Sequence, residues 1–296
     1  VLGWAVATGA ALVIDRRFDS TGTIDLVRQY GVTRLPLAPP ALTAFIARPD
    51  LKEALQTVKV VLTGASALDR SVAERFQAAT GLFVHQGYGL TEASPAVTTT
   101  LGDPDPTLGA VGRPLPGVEI RIADDHGEDV EGDDPGEVLV RGENLFSGYW
   151  PDGAFGPAEL PGLGPGWIRT GDVGYLDADG DLHLVDRVDD LIIVNGFNVY
   201  PREVEDVLLE HPGVREAAAI GMPHEVSGEA VRAVLVPVEG EQPSAQEIVE
   251  HCAARLARFK VPVDVALVDS LPHLPTGKLA RRVLREGGRV GSCGTT

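Results

Sequence analysis

Two rhythms of apolar residues alternate over the first hundred positions. Short β-rich apolar runs at 12–14, 34–38, 58–63 and 82–85 are separated by stretches at 24–30, 41–47 and 71–79 with the spacing of an amphipathic helix. The first rhythm fits strands and the second fits helices. Strand and helix in succession predict right-handed crossovers, hence a parallel sheet with helices on its faces, one layer of a doubly wound α/β domain.

From 102 to 186 the texture becomes turn-rich β, with runs at 118–122, 137–141 and 181–185 set between clusters such as Asp133-Asp134-Pro135-Gly136. This predicts a small antiparallel, β-barrel-like subdomain. Mixed α/β then returns: helices over 202–209 and 244–257, strands over 216–220, 230–238 and 265–268, and a short helix from Leu279. The expected organisation is a large domain over 1–188 (α/β over 1–101, β-rich over 102–188), a smaller α+β domain over 189–286 and a tail over 287–296.

Composition narrows the function. Over 296 residues, 44% are apolar and 23% charged, as in ordinary globular proteins, and no apolar run reaches the length of a membrane span. No basic leader opens the chain, so a cytoplasmic location is the expectation. Cys252 and Cys293 form no CxxC pair, and the seven histidines show no metal-binding spacing. A net charge of −18 without a basic cluster argues against nucleic acid as a partner. An anionic nucleotide would need a local positive site.

Three segments set small or turn-forming residues beside an acid or a base. Gln86-Gly87-Tyr88-Gly89-Leu90-Thr91-Glu92 follows the run at 82–85 and so falls at the carboxyl edge of the predicted sheet, where open α/β folds bind ligands. Its glycines admit close backbone approach, Tyr88 offers a stacking face, Thr91 a hydroxyl, and Glu92 a hard oxygen suited to Mg²⁺. Arg169-Thr170-Gly171-Asp172, followed by Asp186-Arg187, reads as a tight turn whose carboxylate can accept ribose hydroxyls. Leu274-Pro275-Thr276-Gly277-Lys278 puts a lysine on a loop that opens a helix, a charge that can be delivered to developing negative charge. For each segment the alternative is a solvated turn residue.

Other chemistry is disfavoured. Gly64-Ala65-Ser66-Ala67-Leu68 lacks the second glycine of a nucleophile elbow, and Asp177-Ala178-Asp179-Gly180-Asp181 lacks the glycine position and closing glutamate of a calcium loop, so it reads as a hairpin turn. The Gly/Pro-rich stretch 161–166 reads as a surface loop.

In order along the chain, Thr63-Gly64-Ala65-Ser66-Ala67-Leu68, Gly87-Tyr88-Gly89-Leu90-Thr91-Glu92, Arg169-Thr170-Gly171-Asp172, Asp186-Arg187 with Gly196-Phe197-Asn198-Val199-Tyr200-Pro201, and Pro275-Thr276-Gly277-Lys278 resemble the core motifs of the adenylate-forming superfamily. The Gly-Phe-Asn-Val-Tyr-Pro wording is similar to its fatty acid–CoA ligase branch. The resemblance implies ATP, Mg²⁺, coenzyme A and a small carboxylic acid as reactants, with an acyl-adenylate as intermediate. It implies that Gly64, Ala65, Ser66 and the Gln86–Gly89 stretch line the nucleotide, that Tyr88 stacks on adenine, that Thr91 contacts phosphate and that Glu92 holds Mg²⁺. Asp172 and Arg187 would bind ribose, Lys278 would serve adenylation, Asp189 would be a hinge, and Gly196 and Phe197 would face the pantetheine tunnel.

The superfamily's Ser/Thr/Gly-rich phosphate loop has no counterpart in the chain and is expected upstream of Val1. Two alternatives therefore stand beside a CoA ligase: an adenylating enzyme that uses a carrier-protein thiol, and an inactive nucleotide-binding module.

Overall fold

A computed structural model describes residues 2–64, 68–130, 132–156, 158, 166–273 and 279–287. Ala65, Ser66, Lys278, Cys293 and most of the 161–166 stretch lie outside the described residues. The chain divides into two compact units, 1–120 with 140–168 and 176–183, and 121–139 with 169–175 and 184–296.

The first unit opens with α1 (Leu2–Thr8) and α2 (Ser20–Tyr30), then β1 (Arg34–Leu37), α3 (Pro39–Ile46), α4 (Leu51–Ala54), β2 (Val60–Thr63), α5 (Arg70–Thr80), β3 (Val84–Tyr88), β4 (Thr98–Thr99) and β5 (Arg113–Pro114). The helix ends carry their own signals. Asp19 and Asp69 cap α2 and α5 by accepting from Gly22 N at 2.7 Å and Ser71 N at 2.6 Å, and Gly31 and Gly81 close the same helices at φ of 60° and 78°. β1, β2 and β3 are parallel neighbours, as the alternating rhythm requires. β4 and β5 then continue the sheet antiparallel. Its core is Ile24, Val27, Leu42, Phe45, Val61, Phe76 and Val84, with Phe45 and Phe76 fully buried.

Two departures from the expected elements matter. Residues 12–14 are exposed and form no strand: a three-residue apolar run without a ladder partner gains nothing from extension. β3 runs on through Gln86, Gly87 and Tyr88 because Gly87 and Tyr88 pair with Thr99 and Thr98 of β4.

The turn-rich middle of the chain forms a four-stranded sheet in the order β6 (Val118–Ala123), β7 (Gly136–Gly142), β8 (Trp167–Leu176), β9 (Leu182–Arg187). β8 is ten residues long and contains Arg169-Thr170-Gly171-Asp172, so that motif lies within a strand and not after a tight turn. Asp177-Ala178-Asp179-Gly180-Asp181 is the β8–β9 hairpin turn: Asp177 Oδ1 accepts from Asp179 N at 3.0 Å and Asp181 N at 2.9 Å.

In the second unit β10 (Ile192–Val194) and β11 (Phe197–Val199) form a hairpin, followed by α6 (Pro201–Leu209), β12 (Val214–His224), β13 (Gly228–Pro237), α7 (Ala245–Ala253), β14 (Asp264–Leu267) and α8 (Arg281–Gly287). The sheet order is β11-β10-β13-β12, with β14 parallel to β13. α6 and α7 bury Val204, Leu208, Ile248 and Cys252 in its core. Burial pushes the Cys252 thiol up to about 11, which keeps it protonated and unreactive. Among the described residues no helix is long and apolar enough to cross a membrane.

Phe76 is the clearest test of the first core. Phe76→Ala is expected to lower stability by about 3–5 kcal/mol, measured as a fall in the urea midpoint.

Candidate active site

Parallel pairing aligns Thr63, the last residue of β2, with Gln86 of β3. The next residue, Gly64, then lies beside Gly87, where a Cβ at Gly64 would stand 3.3 Å from the Gly87 carbonyl oxygen. The first two motifs therefore meet at the carboxyl edge of the parallel strands. Within β3 the burial alternates. Gln86 and Tyr88 point inward at 7% exposure each, and Gln86 Nε2 donates to the Ala110 carbonyl at 3.2 Å while its backbone N–H donates to Thr100 Oγ1 at 3.0 Å. The Gln86 side chain is thus spent on holding a loop.

After Tyr88 the chain reverses, and Val97 N donates to the Tyr88 carbonyl at 2.9 Å. Gly89 is obligatory in this reversal, since a Cβ there would lie 1.9 Å from the Pro95 carbonyl oxygen. Thr91 and Glu92 sit at the apex, on the one-turn helix Thr91–Ala93. Thr91 is exposed and Glu92 half-buried.

The apex is held by residues that sequence reasoning did not single out. Asn144 Nδ2 donates to the Ala93 and Ala96 carbonyls at 2.8 and 3.0 Å. Phe146 N donates to the Glu92 carbonyl at 2.8 Å. The Tyr149 hydroxyl donates to Glu92 Oε1 at 2.5 Å, and this bond to a carboxylate pushes the phenol above its ordinary pKa. Nothing local announces these contacts, since Tyr149 is 57 residues from its partner.

The second unit holds the remaining candidates. In β8, Arg169 pairs with Glu137 at 2.6 Å and Thr170 Oγ1 donates to the Val138 carbonyl at 2.8 Å. Gly171 takes φ of +71°, and Glu137 Oε1 accepts from its N–H at 3.2 Å. Asp172 and Arg187 are brought together, Nε to Oδ1 at 3.2 Å, and Arg187 Nη2 also donates to the Thr170 carbonyl at 3.3 Å. Asp186 is taken up by backbone N–H groups, those of Arg187 at 2.8 Å and Arg202 at 2.9 Å. Gly196 follows Asn195 in the β10–β11 turn, at φ of 82° and 52°, the geometry of a two-residue Asn-Gly hairpin. Phe197 is 56% exposed and stacks on Phe259, ring centroids 4.8 Å apart. Asp189 lies in the short turn Val188–Asp190, where Arg285 Nη1 donates to its carbonyl at 2.7 Å.

Among the described residues no three His, Cys, Asp or Glu side chains form a metal-binding group. Glu92 is nonetheless a suitable Mg²⁺ ligand, because that ion takes one or two carboxylates and fills its other positions with water and substrate phosphate.

A parallel sheet whose carboxyl edge carries these segments, followed by a smaller α+β domain, defines the class as an α/β fold. The chain belongs to the AMP-binding enzyme family: that family's model matches residues 1–150, and the model of the AMP-binding enzyme C-terminal domain matches 203–278. It is 38% identical to a long-chain-fatty-acid–CoA ligase of Yersinia pestis, an alignment covering 94% of this chain and 49% of that protein. It is 40% identical to a dioxo-octahydro-indenyl propanoyl:CoA ligase of Rhodococcus jostii, covering 94% and 52%. The ATP-bound structure of MatB from Rhodopseudomonas palustris superposes with a TM-score of 0.89 at 34% identity, covering 96% of this chain and 56% of that one. The chain spans about half the length of the curated relatives it matches.

The Gly89 contact makes a local prediction. Gly89→Ala is expected to cost about 1–3 kcal/mol in urea unfolding. Gly156→Ala, where a Cβ meets nothing within 4 Å, should leave the midpoint in place.

Proposed function

We propose that the chain is the AMP-binding and C-terminal part of an ATP-dependent acid–CoA ligase whose acids are fatty or medium-chain. The observation that carries this reading is the meeting of the Gly64 and Gly87–Glu92 segments at one sheet edge, Gly64 against Gly87. In the first step a carboxylate oxygen bonds to the α-phosphorus of ATP, the bond to the β-phosphate oxygen breaks, and pyrophosphate leaves. In the second the CoA sulfur bonds to the acyl carbon, the acyl–phosphate C–O bond breaks, and AMP leaves as the thiol loses its proton.

The nucleotide would lie along Gly64, Ala65, Ser66 and the Gly87–Gly89 backbone with its adenine against Tyr88. Thr91 would donate to phosphate, and Glu92 would hold Mg²⁺, which when bound offsets phosphate charge. Asp172 and Arg187 would turn from each other to the ribose. Their pair is open to exchange, because the arginine side chain is 56% exposed, and ion pairs in water contribute only about 0–1 kcal/mol. Lys278 would neutralise charge as the acyl–phosphate bond forms, and Gly196 and Phe197 would line the approach of pantetheine.

The named relatives act on acids as different as a fatty acid and a ring-bearing propanoate, so the acid is the part to be found by experiment. The full gene product carrying these residues, given Mg·ATP, CoA and acids of graded length, is expected to release AMP and pyrophosphate only with acid present. Lys278→Ala should slow pyrophosphate release by about 100-fold or more, and thioester formation from a supplied acyl-adenylate far less. Adenylate trapped by hydroxylamine without CoA thioester would favour a carrier-protein acceptor. AMP binding without turnover on any acid would overturn the ligase reading in favour of a binding module.

A further inference from the structure

The stretch after β7 grips the Thr91–Ala96 turn at three levels. Asn144 takes the Ala93 and Ala96 carbonyls, Phe146 takes the Glu92 carbonyl, and Tyr149 takes the Glu92 carboxylate. The first two are bonds to backbone and account for the shape of the turn. The third touches no backbone atom of the turn. Tyr149 is 61% exposed, so its phenol adds little burial to the fold. What the hydroxyl does fix is the direction of one carboxylate oxygen, and the Phe146 ring, edge-on at 4.9 Å and 78°, fixes the direction of the phenol.

We propose that Tyr149 is a positioning residue for Glu92: its phenol holds the carboxylate in the orientation that takes the cation of a bound nucleotide. The proposal rests on the reading of Glu92 as the Mg²⁺ ligand. A cation that draws most of its ligands from water and phosphate gains from a carboxylate already aimed. Partners of this kind, which touch a ligand residue and not the ion, change metal affinity by about 10–100-fold when removed. Tyr149→Phe would keep the ring and its contact with Phe146 and lose only the aim.

The test uses the full gene product and binding of a non-hydrolysable ATP analogue, followed by calorimetry as Mg²⁺ is raised. Tyr149→Phe is expected to raise the Mg²⁺ concentration for half-maximal binding about 10-fold. Saturating Mg²⁺ should restore binding, and the urea midpoint should not move. Asn144→Ala should do the opposite, lowering the urea midpoint through the lost backbone bonds. In a Glu92→Gln background, Tyr149→Phe should add nothing, because a residue acting through Glu92 has no further effect once that carboxylate is gone. An unchanged Mg²⁺ midpoint in Tyr149→Phe, with a shifted one in Glu92→Gln, would overturn the positioning role and leave Glu92 as the ligand. Equal shifts by Tyr149→Phe in both backgrounds would also overturn it. If neither single variant moves the midpoint, the reading of Glu92 fails and takes the proposal with it.

Discussion

A peptide group occupies the space where residue 89 would carry a side chain. The Pro95 carbonyl oxygen stands 1.9 Å from the position of a Cβ there, a separation that a side chain could meet only if the backbone shifted. This close approach lets the chain leave β3 and return in β4 within ten residues, with Val97 N on the Tyr88 carbonyl and Tyr88 opposite Thr98. The consequence is positional. Thr91 and Glu92 are carried on the apex of the reversal, directly off the edge where β2 and β3 end side by side. A longer connection would satisfy the same strands and leave the hydroxyl and the carboxylate on a loop free to wander.

Much of this was legible, and the failures have identifiable causes. Helices read well where caps and periodicity agree, as in α5, whose Asp69 and Gly81 bracket the apolar stripe. In two motifs a glycine conceals how far the strand runs. Gly87 and Gly171 look like turn residues, yet each sits inside a strand. At Gly87 a Cβ would stand 3.2 Å from the Thr98 carbonyl, and at Gly171 the chain takes a positive φ beside the Arg187 side chain. In both, glycine marks close approach to a neighbour and not the end of the strand. Conversely, the Asn195-Gly196 pair is a strong hairpin signal, and the β10–β11 turn forms on it.

The grip of Asn144 and Tyr149 on the apex could not be read from the chain. A side-chain amide that takes two carbonyls 48 and 51 residues away leaves no periodicity, and an exposed Tyr-Trp pair after a strand is compatible with any loop. The acid–base candidates were found by residue type. The groups that hold them in place are found only once the fold is known, because their choice of partner is set by register and not by sequence spacing.

The same logic bears on the end of the second unit, from Leu279 onward. His273 and Leu279 are antiparallel bridge partners, and Ala280 N donates to the Pro272 carbonyl at 2.8 Å. Leu279 and Leu284 pack on the cluster of Ala218, Ile220, Val234, Val236 and Leu271. Arg281 reaches Glu205 at 2.7 Å, and burial pushes that glutamate's carboxyl up against the pull of the arginine. Arg285 holds the Asp189 and Asp190 carbonyls at 2.7 and 3.0 Å. The chain directly after Lys278 is therefore fixed to the body of the second unit. The Arg285 bonds also tie the peptide groups at 189 and 190 to α8.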